Sequence, residues 1–244
     1  MDRATLRFYG ELADFLDTRE PIVIVGVADS PSVKDRIEAC GVPHTEVDLI
    51  VVGGGPVGFD YQLRAGDRVG VYPVFHSLDV TGGLRPQPPR DRFVVDVNLG
   101  RLARYLRLLG FDAVSDHALE DGDLAAISAG ENRILLTRDR DLLKRAIIVH
   151  GYCVRAVWPR EQLVEVVRRF DLAEVIDPFA RCMECNGSIE EVAKEDVEHL
   201  LEPLTKQHYE DFRRCVGCGR VFWRGSHFEQ LEAIVDSVEG SGCQ

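Results

Sequence analysis

The sequence contains no uninterrupted apolar run approaching the roughly 20 residues of a membrane span. Its charged start, Met1-Asp2-Arg3, lacks the hydrophobic stretch of a secretory leader. The chain is therefore expected in the cytoplasm, with no membrane partner. An even cysteine framework is missing too: seven cysteines leave one over in any disulfide scaffold. Excess positive charge is also lacking. The formal net charge is -12, which argues against a protein that coats nucleic acid by bulk attraction. The glycines at 53–55 lack the G-x-G-x-x-G order of a dinucleotide site, and no P-loop Lys-Ser/Thr follows, so they read as a hairpin turn.

What is present is ordinary globular material. The chain has 244 residues, 45% of them hydrophobic and 29% charged, enough for one large domain or two small ones. Charge is distributed unevenly. Residues 1–80 hold 7 basic and 13 acidic side chains, residues 81–176 hold 15 and 14, and residues 177–244 hold 7 and 14. The middle third can therefore offer a locally positive groove around an acidic site.

Strand-like alternation at 3–9, a β-branched run at 21–27, a short helical pattern at 32–38 with Ser32 or Ser30 as cap, a strand at 47–52 and a last strand within 63–73 predict a small α+β module with a mixed sheet. Residues 82–91 are Pro/Gly-rich without periodicity and read as a linker. From Arg92 the pattern alternates: strand 93–95, helix 99–109 closed by Gly110, strand 111–114, helix 124–130, strand 133–137, strands near 146–149 and 154–157, and helix 160–170. Such alternation predicts a parallel sheet with helices on both faces.

The acids fall at places where such sheets bind ligands, beyond the carboxyl ends of strands. Asp96 follows one strand, Asp139 and Asp141 follow another, and Asp123 starts a helix. Converging carboxylates need a cation, and all-oxygen donors suit Mg²⁺ or Mn²⁺. The structural alternative is that each acid caps a helix or turn, or that Arg138-Asp139-Arg140-Asp141 is a loop of local salt bridges. Cys182-x-x-Cys185 and Cys215-x-x-Cys218, with 29 residues between the pairs, have the spacing of a closed Cys₄ structural zinc site. Little else in 177–227 offers a core, so zinc is expected to supply much of that module's folding energy. Cys40, Cys153 and Cys243 have no partner at useful spacing. Around the knuckles stand Arg181, Arg213, Arg214, Arg220, Arg224, His227, Phe222 and Trp223, a mixture that can hold single-stranded RNA or pack the ribbon.

Two resemblances sharpen this reading. Leu63, Gly66, Asp67, Val69 and Pro73 resemble the last-strand motif of ubiquitin-like β-grasp sulfur carriers, with Gly82-Gly83 following it. Sulfur chemistry would need a free carboxyl at Gly83, beyond which the chain continues for 161 residues. The strings at 93–112, 133–143, 181–187 and 215–227 resemble the ribonuclease family of the mut-seven C-terminal domain, a PIN-like nuclease with an appended zinc ribbon. Some bacterial members are similar in carrying a β-grasp domain in front.

Together these imply a β-grasp domain at 1–80, a linker at 81–91, a PIN-like nuclease at 92–176, a zinc ribbon at 177–230 and a tail at 231–244. The resemblance implies a metal-dependent ribonuclease. Asp96, Asp123, Asp139 and Asp141 would be catalytic, with Mg²⁺ or Mn²⁺ on Asp96, Asp139 and Asp141 and Asn98 in support. Arg101, Arg104, Arg138, Arg220 and Arg224 would hold RNA, and Cys182, Cys185, Cys215 and Cys218 would hold zinc. Asp112 and Asp116 either lie near the site or terminate a strand. The competing class is a non-catalytic RNA- or ribosome-binding adaptor. The β-grasp domain implies a protein partner.

Overall fold

The computed structural model describes residues 2–73, 84–225 and 228–239. Gly82 and Gly83, on which the sulfur-carrier reading depends, lie outside the described residues, as do His227 and Cys243. The chain forms two compact units, Met1–Pro88 with Glu120–Cys153, and Pro89–Leu119 with Val154–Gln244. Among the described residues no helix is long and apolar enough to cross a membrane.

The elements up to Tyr72 are β1 (Arg3–Phe8), β2 (Ile22–Gly26), α1 (Val33–Ala39), β3 (Leu49–Val52), β4 (Gly55–Pro56) and β5 (Arg68–Tyr72). Next come β6 (Arg92–Val95), α2 (Gly100–Leu108), β7 (Asp112–Val114), α3 (Asp121–Gly130) and β8 (Ile134–Thr137). Then follow α4 (Arg140–Leu143), β9 (Gly151–Cys153) and α5 (Pro159–Arg169). The remainder is β10 (Ile189–Val192), α6 (Lys194–Val197), α7 (Pro203–His208), β11 (Phe212–Cys215), β12 (Val221–Phe222) and α8 (Phe228–Glu239).

In the first unit, β1 to β5 form the expected mixed sheet, in the order β2-β1-β5-β3-β4. The β1–β5 pair is parallel and the others antiparallel. Alternation buries Leu6 and Phe8 of β1 and Val69 and Val71 of β5, and Ile37 of α1 is fully buried as well. Ser32 is the cap, its Oγ accepting the Asp35 N–H at 3.1 Å. The motif shared with sulfur carriers has structural work to do here. Leu63 is fully buried, Gly66 turns with φ 88°, and Asp67 Oδ2 accepts the Arg64 N–H at 2.8 Å. Gly53 and Gly54 make the β3–β4 turn.

The expected parallel pairing is present in each unit. β8 and β9 run parallel in the first unit, with Leu136 opposite Tyr152, and β6 and β7 run parallel in the second, with Phe93 opposite Ala113. Two expected strands are corrected. Residues 146–149 turn instead, the Ile148 N–H bonding back to Arg145 O, and the strand starts at Gly151. Residues 154–157 form no strand because Glu165 of α5 takes the N–H groups of Arg155 and Ala156 at 2.9 and 2.8 Å.

Within the first unit the buried segment His44–Glu46 docks on the chain around β9. His44 Nε2 lies 3.0 Å from Ile148 O, and Glu46 Oε1 accepts the Cys153 N–H at 2.6 Å. Arg85, inside the Pro/Gly-rich stretch, donates to the carbonyls of Thr45, Val47 and Val149. That stretch is anchored at its start.

In the second unit Leu102, Ala103 and Leu106 of α2 are buried, as their spacing predicts. Phe93 meets Phe111 and Phe170 edge-on at 5.8 and 6.2 Å. Gly110, at φ 93°, ends the helix where a Cβ would strike the Asp177 carbonyl. The last three strands, β10 to β12, form an antiparallel ribbon. It has a small core of its own in Val197, Leu201 and Phe212, with Val192, Tyr209 and Val221 packed against it. The expectation that 177–227 is almost coreless is corrected to that extent.

Candidate metal centre and nuclease site

Cys182 and Cys185 lie on one tight loop and Cys215 and Cys218 on another, at the end of β11. The four sulfurs all lie within 4.8 Å of one another, with Cys182–Cys218 at 3.8 Å and Cys185–Cys215 at 3.3 Å. Zn–S bonds of about 2.3 Å in a tetrahedron require S···S separations of about 3.8 Å, so the donors suit zinc in both chemistry and spacing. A Cβ at Gly187 would come within 2.9 Å of Cys215 Sγ, which explains a glycine beside the knuckle. Burial pushes the Cys182 thiol up to about 12, while the Gly187 N–H draws the exposed Cys185 thiol down to about 7.

The second unit seats these loops on α2 and β7. Arg107 is buried, unlike Arg101 and Arg104 of the same helix. Its Nε donates to Ala113 O at 2.8 Å, and its Nη1 donates to Met183 O and Glu184 O at 3.1 and 2.9 Å. Met183 and Glu184 are the two residues between the first pair of cysteines. Burial pulls the Arg107 pKa below its ordinary value. Asn186 Oδ1 accepts the Ala113 N–H at 3.1 Å, and its Nδ2 donates to Asp112 Oδ1 at 2.6 Å. Asp112 thus fixes the ribbon to β7. Asp116 Oδ1 accepts the Ala118 N–H at 2.9 Å and shapes a turn.

The proposed catalytic acids all have local hydrogen-bonding roles. Asp96, buried at the end of β6, accepts the Asn98 N–H at 3.2 Å and its side-chain amide at 3.4 Å. Asp139 caps α4, its Oδ1 accepting from Asp141 and Leu142 at 2.8 and 3.2 Å. Asp141 is exposed on the first turn of that helix and pairs with Lys144 at 2.9 Å. Asp123 closes a capping box with Glu120 at the start of α3. Asp123, Asp139 and Asp141 belong to the first unit, and Asp96 belongs to the second. A carboxylate that caps a helix through one oxygen keeps acceptor capacity on the other.

Of the arginines expected at RNA, Arg101 and Arg104 are exposed on α2 and Arg138 is exposed after β8. Arg104 and Arg220 both reach Glu184 Oε1, at 2.6 and 3.5 Å. Arg224 lies over the Phe228 ring at 4.9 Å. Trp223, 39% exposed, tilts against Tyr209 and Phe212 of the ribbon core. Reading the sequence missed Glu184, Arg107 and Asn186. The available signal was position, since all three either lie within or flank the first Cys-x-x-Cys or continue the i, i+3 arginine row of α2.

Residues 91–235 match the family model described as Mut7-C RNAse domain, and residues 1–79 match the one described as Mut7-C ubiquitin. No curated protein and no solved structure matches the chain.

Proposed function

The chain belongs to the Mut7-C RNAse domain family, and on that premise we propose that it is a metal-dependent ribonuclease that hydrolyses RNA phosphodiester bonds. The supporting observation is the acid pair after β8: Asp139 and Asp141, two residues apart at a strand's carboxyl end, inside the family-matched region. Asp96, after β6, is a further proposed catalytic acid, its carboxylate held by two donors from Asn98. Such a set offers only oxygens and suits Mg²⁺ or Mn²⁺. Asp139 and Asp141 would hold such a divalent cation, which would supply a Lewis acid for the phosphoryl oxygen and a more acidic bound water.

The chain's own residues do the rest. Asp139 caps α4 and Asp141 lies on its first turn, and Asp123, at the start of α3, is the fourth proposed catalytic acid. Arg101, Arg104, Arg138, Arg220 and Arg224 supply charge for the RNA backbone, and their localisation offsets a net charge of -12. The four cysteines would hold a structural zinc that joins the two ribbon loops to each other. Cleavage of labelled single-stranded RNA with Mn²⁺ or Mg²⁺, beside chelator and Asp139→Asn controls, tests this. Loss of cleavage in both controls supports the reading. Tight binding without any cleavage moves it to the adaptor, which the Asp141–Lys144 ion pair and the Asp123 capping box favour.

For the ubiquitin-like domain the proposal is a protein partner. Its sheet has an open face on which Arg3, Thr5 and Arg7 of β1 lie opposite Gly26, Ile24 and Ile22 of β2. Ile22 and Ile24 are 51% and 63% exposed, and Arg68 adjoins Thr5 from β5. An apolar face with basic neighbours fits an acidic partner with apolar anchors. A photo-crosslinker at residue 24 should trap such a partner, while one at inward-facing residue 25 should not. Equal adducts from both positions would remove the proposal.

A further inference from the structure

Two cations from different elements converge on one oxygen. Arg104 Nη2, from α2, lies 2.6 Å from Glu184 Oε1, and Arg220 Nη1, from the loop after Cys218, lies 3.5 Å from the same atom. The backbone around Glu184 is fixed, because buried Arg107 holds the carbonyls of Met183 and Glu184. The side chains of the trio are not buried: Arg104, Arg220 and Glu184 are 52%, 56% and 39% exposed. Arg101 stands on the same helix one turn before Arg104. A cationic strip therefore runs along α2 onto the second knuckle, and one carboxylate sits between two of its members.

We propose that Arg104 and Arg220 form a phosphate subsite for RNA, and that Glu184 occupies it in the free protein as an internal competitor. This rests on the ribonuclease reading. A carboxylate and a phosphodiester each bring one negative charge and two acceptor oxygens, and paired guanidinium groups serve either. An exposed ion pair is a weak contact, so an incoming phosphate displaces Glu184 at small cost. The displaced carboxylate stays nearby on its pinned loop and repels the ligand. Free protein thus carries a brake on its own RNA affinity. Loss of the Glu184 charge releases that brake only while the two arginines remain.

The test is a binding cycle on the zinc-loaded full chain, using fluorescently labelled oligouridylate without added Mg²⁺ or Mn²⁺. Glu184→Gln should tighten binding by roughly three- to tenfold at low salt, the scale of one charge at an interface rim. Arg104→Ala/Arg220→Ala should weaken binding and flatten the plot of log affinity against log salt by about 0.7 per lost phosphate contact. In that double-alanine background, Glu184→Gln should have no effect, whereas Arg104→Lys/Arg220→Lys should preserve most of it. Zinc content checks that each variant keeps its ribbon. An unchanged affinity in Glu184→Gln, or the same gain without the arginines, overturns the inference and leaves the ribonuclease reading standing. Absence of RNA binding and of RNA cleavage in every variant overturns both.

Discussion

Asn186, the residue after the second knuckle thiol, takes the backbone N–H of Ala113 on its Oδ1 at 3.1 Å, standing in for a strand that would otherwise pair with β7. Its φ is 67°, a region that asparagine tolerates better than most residues. Asn186→Ala should therefore lose a buried-edge acceptor and strain the backbone together. The expected cost is about 2–3 kcal/mol, read as a lower denaturation midpoint of the zinc-loaded protein.

Arg107 is the second fastening. Its guanidinium serves the carbonyls of Ala113, Met183 and Glu184 from a buried position. Arg107→Met keeps the bulk and leaves those carbonyls without their donor. A destabilisation of about 3 kcal/mol is expected, with faster zinc loss to a chelator. Unchanged zinc retention would mean that the knuckle holds itself.

Metal removal should uncover the thiols unequally. Cys185 and Cys218 are exposed, and Cys182 and Cys215 are buried. After chelation, mass spectrometry should find alkylation at Cys185 and Cys218 before Cys182 and Cys215. The zinc-loaded protein should resist at all four positions. Simultaneous labelling of all four would indicate that the ribbon unfolds as a whole once metal leaves, despite its small core.

His150 makes stability depend on pH. Burial, and secondarily the nearby Arg85 charge, lower its pKa from 6.5 to about 4. Between those values the unfolded chain binds a proton that the folded chain refuses, so stability falls as pH drops from 6.5 to 4 and then levels. The full contribution at neutral pH is about 3 kcal/mol as an upper figure. Denaturation midpoints of His150→Gln, compared with the parent across this window, should show that slope removed.

Asp139→Asn separates the two roles of that residue. Asparagine caps helices as well as aspartate does, so α4 and the unfolding midpoint should change little. RNA cleavage should fall by about a hundredfold or more, equivalent to about 2.7 kcal/mol of barrier. A stable variant with full cleavage would exclude Asp139 from catalysis.

Much of the architecture was legible because it rests on local periodicity and spacing. Period-two alternation marked β1, a continuous apolar run marked β8, the Leu102–Ala103–Leu106 stripe marked α2, and Gly53–Gly54 marked a turn. Two Cys-x-x-Cys pairs announced four thiols in one place, because two such pairs in one short segment have the spacing of a closed tetrahedral thiolate site. The missing strands at 146–149 and 154–157 failed for a non-local reason. Their apolar composition is strand-like, but Arg145 O claims one N–H and Glu165 claims two others.

What the sequence determined by itself was the family, the order of its parts and the residue types available for chemistry: acids at strand ends, arginines in the middle third, and thiols in pairs. Tertiary structure decided which side chains meet. Nothing in local pattern says that Arg107 turns inward to hold the first knuckle, or that Asp112 is taken by Asn186. Nor does it say that Arg104 and Arg220, 116 positions apart in the sequence, share one oxygen of Glu184. Those pairings depend on how distant backbones approach, and a periodic pattern carries only the faces that each element buries.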